Sequence, residues 1–223
     1  MKVMLLAAGR GERMRPLTDA TPKSLLAAGG KPLVVRLIER LAATGYRELV
    51  LNHAHLGVLI EAALGDGARF GVRIRYSPEP EALETAGGIA NALPLLGRAP
   101  FAAVNADLHT HYPFDQLRGV LAADALAHLV LVDNPPHHRG GDFALAGGRL
   151  ANSGDALLTF SGIGVYRPEL FAAIAPGTRA PLAPLLRDAA ARGAVTAEHF
   201  RGRWVDVGTP ERLAALDREL SAA

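Results

Sequence analysis

An α/β fold with a mostly parallel central sheet flanked by helices is predicted by three observations. Short apolar runs alternate with helical patterns through the first hundred residues. A coil rich in glycine and arginine follows directly on the first apolar run. An aspartate, Asp107, lies just past the fourth run. Strand and helix patterns that alternate in this way favour a parallel sheet covered on both faces. Ligands of such sheets bind outside the carboxyl ends of the strands, which places the coil and Asp107 on one edge.

Residues 3–6 are a continuous apolar run, as a strand buried on both faces requires. Further strands are expected at 48–52, 72–76 and 101–105. Helices are expected between them at 33–44, 56–64 and 86–95. Gly45 ends the first helix as a carboxyl-terminal cap residue would. Gly29-Gly30-Lys31-Pro32 reads as a turn with proline at the first helical position. The second half changes character. Strands are expected at 128–133, 143–146, 149–151 and 157–166, with Gly147-Gly148 as a hairpin signal. Helices at 169–174 and 181–191 follow, then strands at 195–200 and 203–207 and a final helix from Pro210. Residues 1–223 are expected to form a single domain, Rossmann-like over 1–110, with a smaller β-rich portion in 111–223.

Composition bounds the function classes. The 223 residues are 49% hydrophobic and 21% charged, which suits a full hydrophobic core. A net charge of +2 without blocks of like charge does not indicate nucleic-acid binding. Cysteine is absent, so disulfides and thiolate metal sites are excluded. No apolar run reaches the roughly 18 residues of a membrane span. The chain enters its first strand without a secretory leader, so a soluble cytoplasmic protein is expected. Oligomeric state is not legible.

The coil Ala7-Ala8-Gly9-Arg10-Gly11-Glu12-Arg13-Met14-Arg15-Pro16-Leu17-Thr18, closed by Pro22-Lys23, carries the strongest signal. A long coil without obvious structure of its own is usually functional. Glycines let backbone N–H groups approach an anion, and the arginines and lysine offer charge-assisted hydrogen bonds to phosphate. Lysine occurs only at positions 2, 23 and 31, which singles out Lys23. A polyphosphate site at the end of the first strand is therefore expected. Two familiar phosphate loops do not match. The dinucleotide fingerprint needs a third glycine where Met14 stands, and the P-loop needs Ser or Thr where Pro32 follows Gly30-Lys31.

The order Leu6-Ala7-Ala8-Gly9, Gly9-Arg10-Gly11-Glu12-Arg13, Pro16-Leu17-Thr18, Pro22-Lys23 resembles the signature of the sugar-1-phosphate nucleotidylyltransferases. Asp107, Trp204-Val205-Asp206-Val207-Gly208-Thr209 and Glu84-Thr85-Ala86-Gly87-Gly88 resemble three further family segments. The short Gly141-Asp142-Phe143 and Thr159-Phe160-Ser161-Gly162-Ile163 segments and the ending from His199 to Trp204 are most similar to the branch that uridylylates N-acetylmuramic acid 1-phosphate. The resemblance implies a nucleotide-diphospho-sugar transferase type of fold, with a nucleotide-binding half at 1–110 and a sugar-binding, metal-completing half at 111–223. It implies a reaction in which a sugar 1-phosphate attacks a nucleoside triphosphate, UTP first and dTTP next, and releases pyrophosphate.

Its implied site residues are Ala7, Ala8, Gly9, Gly11, Glu12, Arg13, Lys23, Gly87 and Gly88 for the nucleotide. Arg13 would hold the β- and γ-phosphates, and Lys23 the α-phosphate or the sugar phosphate. Glu84, Asn105 and Asp142 would meet the sugar, and Asp107 and Asp206 would hold Mg²⁺, with Arg13, Lys23 and Asp107 catalytic. Three departures stand out. Tyr76-Ser77-Pro78-Glu79 replaces a base-reading glutamine, Ala106 replaces a glycine beside Asp107, and no lysine occupies the mid-chain segment 132–138. Two other function classes stay open: a nucleotide-sugar sensor without turnover, and a metal phosphohydrolase built on Asp107, His109 and His111.

Overall fold

The computed structural model describes residues 1–222; position 223, the last of the expected domain, lies outside them. The chain runs β1 (Val3–Leu6), β2 (Ala27–Ala28), β3 (Lys31–Pro32), α1 (Leu33–Ala43), β4 (Glu48–His53), α2 (Gly57–Leu64), β5 (Arg73–Pro78), α3 (Glu84–Leu96), β6 (Phe101–Asn105) and β7 (Leu108–Thr110). It continues through β8 (Ala127–Val132), β9 (Ala144–Ala146), β10 (Arg149–Ala151), β11 (Thr159–Tyr166), α4 (Leu182–Ala191), β12 (Val195–Phe200), β13 (Trp204–Asp206) and α5 (Pro210–Ser221).

Among the described residues one nine-stranded sheet has the order β5-β4-β1-β6-β11-β8-β12-β10-β9. β5, β4, β1 and β6 are mutually parallel, and β12 is parallel to β8. β11 runs antiparallel to both β6 and β8, and β10 antiparallel to β12 and β9. The fold is thus the expected α/β type, a mostly parallel mixed sheet with helices on both faces. The β-rich second half continues the same sheet.

Strand periodicity assigns the two faces. Val3 and Leu5, with Ala102, Val104, Leu49 and Leu51, pack in one core beneath α1. Met4, Phe101, Ala103 and Val50 point the other way, into a core covered by α3 and α4. Successive side chains of a strand alternate faces, so an unbroken apolar run serves both cores. A third, smaller core joins Met14, Leu26, Ala28 and Leu33 to Val207, Leu213 and Leu216. It anchors the amino-terminal coil to α5 and the residues just before it.

Three expectations are corrected. The coil is not structureless: it contains one-turn 3₁₀ segments at Glu12–Met14, Leu17–Asp19 and Lys23–Leu25, then the β2–β3 hairpin. Pro32 is extended and caps α1 rather than occupying its first turn. The helix expected at 169–174 is a 3₁₀ turn, Pro168–Phe171. Six residues ahead of Pro176 are too few to repay helix nucleation.

Candidate active site

The coil leaves β1 at the carboxyl edge of the sheet and is tied there at once. The Ala7 N–H donates to Asn52 Oδ1 at 2.9 Å, from the end of β4. Gly9 has open space where a Cβ would be. Gly11 has φ +71°, and a Cβ there would lie 3.0 Å from Thr18 Cγ2 and 3.2 Å from Lys23 Cβ. Its carbonyl accepts from Thr18 Oγ1 at 2.9 Å. Glycine at 11 is thus required twice, by its left-handed backbone and by the approach of Lys23. Gly11→Ala costs about 1–2 kcal/mol for the backbone alone and pushes Lys23 aside. Turnover is expected to fall about tenfold or more, since a small misplacement of a positioning group is costly. Thermal unfolding and steady-state kinetics on the same preparation check both effects.

Four adjoining cavities line this edge. The first, about 240 Å³, lies in the coil, bordered by Ala7, Gly9, Gly11, Glu12, Arg13, Lys23 and Asp107. Lys23 Nζ forms an ion pair with Asp107 Oδ2 in which both side chains are largely buried, 17% and 24% exposed. Arg13 has no carboxylate partner among the described residues, whereas Glu12 pairs with Arg10 at 2.9 Å and Arg15 at 3.6 Å. Glu12 therefore fixes the neighbouring arginines and leaves Arg13 free for an anion. Ser24 borders the same cavity with a buried hydroxyl that has no hydrogen-bond partner. Nothing in the local pattern marks that serine, because its isolation arises only in three dimensions.

A second cavity of about 320 Å³ lies beside it, toward α3, and borders Ala8, Gly9, Asn52, Glu84, Thr85, Asn105 and Asp107. Asn52 Nδ2 donates to buried Glu79 Oε1 at 2.6 Å, and Glu79 Oε2 accepts from Leu83 N–H at 2.9 Å. That pair fixes the turn entering α3. Glu84, the first residue of α3, has φ +58°, uncommon for a residue with a Cβ and a feature that clusters at functional sites. Its carboxylate accepts from Arg179 Nε at 2.8 Å.

Gly87 and Gly88 have a structural role of their own. Neither borders a cavity at this edge. The N–H groups of Ala86 and Gly87 both donate to the Ala180 carbonyl at 3.0 Å, so these helix-terminal donors are already satisfied. A Cβ at Gly87 would overlap the Thr178 carbonyl, and one at Gly88 would lie 2.7 Å from Asn52 and Glu79. These glycines let the protein pack against itself. Ala106 is 1% exposed, packs in the first core and also borders the coil cavity beside Asp107.

Asp206 reaches this edge from 99 residues beyond Asp107 in the chain. β13 pairs antiparallel with β7, with Asp206 opposite Leu108, and the Val207 N–H donates to the Asp107 carbonyl at 3.1 Å. The two aspartates therefore occupy adjoining positions of one small ladder. Their side chains have separate partners. Asp206 accepts from Arg212 Nη1 at 2.7 Å and lies 3.0 Å from His137 Nε2. Arg212 is held in α5, whose first turn Thr209 caps. Carboxylate oxygens are hard donors of the kind a small divalent cation takes together with phosphate oxygens, and each aspartate brings such a group to this edge, Asp107 in the coil cavity and Asp206 in the cavity beside it. His137 and Arg212 carry no sequence signal for this role. The third cavity, about 290 Å³, borders Arg13, Asn105, His137, His138 and Asp206.

Asn105 borders three of these cavities, at the end of β6. Gly162, at φ +77°, leaves the room its amide occupies. The fourth cavity, about 430 Å³, runs from Asn105 and Glu84 to Asp142, Tyr166 and α4. Asp142 is committed to local structure, with Oδ1 at 2.9 Å from His138 and Oδ2 accepting from the Phe160 N–H at 2.8 Å. His109 and His111 do not join Asp107 in a metal site. Among the described residues no three His, Cys, Asp or Glu side chains come together to hold a metal. Burial, followed by the proximity of His111, lowers the pKa of His109.

The glycine-and-arginine coil thus stands at the end of a central parallel strand, with Asp107 in the wall of its cavity and Asp206 on the small ladder that follows. The model of the nucleotidyl transferase family matches residues 2–144. The chain belongs to that family. Among curated relatives of this nucleotidyl transferase, the N-acetylmuramate alpha-1-phosphate uridylyltransferase of Neisseria meningitidis is 53% identical over 96% of the chain and 95% of the relative. The protein of that name from Caulobacter vibrioides is 33% identical over 99% of the chain and 97% of its own. A solved structure from Bacillus anthracis, provisionally named a glucose-1-phosphate thymidylyltransferase, superimposes with a TM-score of 0.87 at 20% identity, over 100% and 96% of the two chains. That likeness establishes the fold. No helix among the described residues of the nucleotidyl transferase is long and apolar enough to cross a membrane.

Proposed function

We propose that this nucleotidyl transferase joins UTP to N-acetylmuramic acid 1-phosphate, forming the UDP-sugar and releasing pyrophosphate, in the cytoplasm. The observation that carries the reading is the near full-length likeness to the Neisseria uridylyltransferase. The polyanion-binding geometry of the coil supports it.

In the proposed reaction a phosphate oxygen of the sugar 1-phosphate attacks the α-phosphorus. The bond from that phosphorus to the oxygen bridging the α- and β-phosphates breaks, and pyrophosphate leaves with the electron pair. The nucleophile is already an anion near neutral pH, so no general base is required. The barrier lies in aligning two polyanions against their repulsion, which positioned cations and dipoles lower. Arg13, unpaired among the described residues, takes the β- and γ-phosphates. Lys23 spreads its charge over the α-phosphate and the attacking phosphate, and Asp107 holds the Lys23 ammonium in place. Gly9 and Gly11 present backbone to the triphosphate, Ala7 and Ala8 border its path, and Glu12 orders Arg10 and Arg15. Asn105, at the junction of three cavities, reads the sugar, with Glu84 on the opposite wall and Asp142 shaping the far wall through its turn.

Asp107 and Asp206 would hold Mg²⁺. When bound, the ion supplies charge neutralisation between the two phosphate groups. The nucleotide-binding half would end near position 110, with Glu84 and Asn105 lending it sugar contacts and Asp142 and Asp206 completing the site from the second half.

The test is a matrix of UTP, dTTP, GTP and ATP against N-acetylmuramic acid, N-acetylglucosamine and glucose 1-phosphates, scored by pyrophosphate. UTP with the muramic sugar is expected to give the highest kcat/KM. Glucose 1-phosphate as the best substrate would replace the sugar assignment. Binding of a nucleotide sugar without pyrophosphate release would mark a sensor instead.

A further inference from the structure

We infer that Arg187 reads a carboxylate carried on the sugar ring, and so selects an acidic sugar over its neutral counterpart. The inference rests on the proposed sugar, whose ring bears a lactyl ether ending in a carboxylate.

The cavity between Asn105 and α4 is the largest of the four, and apart from Leu6 at the end of β1 no residue of the phosphate coil borders it. The negative end of a sugar 1-phosphate has its cations in the coil. A cation at the far wall of the sugar cavity needs a different anion.

Arg187 supplies that cation. It lies on α4 four residues after Ala183, and both border the cavity, as i,i+4 neighbours on one helix face do. Leu182 and Leu186 form the adjoining row and are buried in the core, so the helix cannot rotate to take Arg187 away. Ala183 is small and leaves space beside the guanidinium. The guanidinium lies over the Phe143 ring, 4.9 Å from its centre. One of its nitrogens donates to the Asp142 carbonyl at 3.3 Å. These contacts hold the group in orientation and leave most of its donors unused.

Charge balance makes the assignment specific. The two carboxylates bordering the cavity both have partners of their own: Glu84 pairs with Arg179 at 2.8 Å, and Asp142 is held by hydrogen bonds to His138 at 2.9 Å and to the Phe160 N–H at 2.8 Å. Arg187 has no carboxylate partner among the described residues. An uncompensated guanidinium facing a partly apolar cavity attracts a planar anion, and its fork matches a carboxylate in bidentate fashion. A hydroxyl at the same ring position cannot replace those two charge-assisted bonds.

The test compares N-acetylmuramic acid 1-phosphate with its lactyl methyl ester in the wild-type protein, Arg187→Met and Arg187→Lys. Wild type is expected to prefer the acid by about ten- to a hundredfold in kcat/KM, the range of a hydrogen-bonded charge pair. Arg187→Met is expected to bring the ratio close to one, through a higher KM for the acid. Arg187→Lys, which keeps the charge and loses the fork, should recover part of the preference. Arg187 is exposed on its helix, and circular dichroism of each variant checks that the fold is retained. If Arg187→Met keeps the wild-type ratio, or loses both substrates equally, the inference is wrong and the substrate reading stands. If wild type does not turn over the acidic sugar at all, the substrate reading fails and the inference falls with it.

Discussion

Lys23→Met is expected to lower kcat by about a hundred- to a thousandfold, the range seen when one preorganised donor to a charged transition state is removed. The physical reason is the position of its ammonium. It stands in the wall of the coil cavity beside Gly11 and Arg13, largely shielded from water, where a charge acts over a lower effective dielectric than at the surface. In the proposed reaction two polyanions approach there, and Arg13 would compensate only one of them. The fold should survive, because Lys23 belongs to none of the three cores. Asp107→Asn removes the group that holds the ammonium and should lose turnover by a similar factor. The double variant should lose little more than either single one, since residues that act as a unit are not additive. Pyrophosphate release under saturating substrates measures all three. A Lys23→Met protein with a third of wild-type kcat would remove the assigned role.

Asp206→Asn should be nearly as damaging, with a different signature. Turnover at saturating Mg²⁺ is expected to fall about a hundredfold, equivalent to about 2.7 kcal/mol of barrier. The Mg²⁺ concentration for half-maximal rate should rise about tenfold or more. Arg212→Met provides the contrast. Arg212 now compensates Asp206 from 2.7 Å, so its removal frees the carboxylate and should lower the Mg²⁺ requirement rather than raise it. Titration of rate against Mg²⁺, with a chelator blank, separates the two. An Asp206→Asn protein with unchanged Mg²⁺ dependence would show that this carboxylate serves Arg212 and His137 alone.

Residues contiguous in the chain were the legible ones. The coil from Ala7 to Lys23 could be recognised because its glycines, arginines and lysine all lie within seventeen positions of one strand end. The strands at 3–6 and 101–105 could be bounded because unbroken apolar runs of that length have one stable use, in a sheet buried on both faces. Gly87 and Gly88 were ambiguous for the opposite reason. A missing side chain serves equally for a ligand or for protein, and only the positions of Ala180 and Asn52 show that protein fills the space. Ser24, His137, Arg187 and Arg212 have no sequence signature because a lone serine, histidine or arginine is ordinary on a surface. What distinguishes them is the partner each has or lacks after folding.

Local chemistry alone therefore determined the α/β class and the family, and singled out the coil as the candidate site. Folding decided which distant groups share that site. Strand β13 lies against β7 because Val207 and α5 bury apolar surface with Met14 and Leu33 in the small third core, and that burial brings Asp206 beside Asp107. Hydrophobic contacts of this kind are non-directional and formed between segments nearly two hundred residues apart, so no reading of neighbouring residues could have located them.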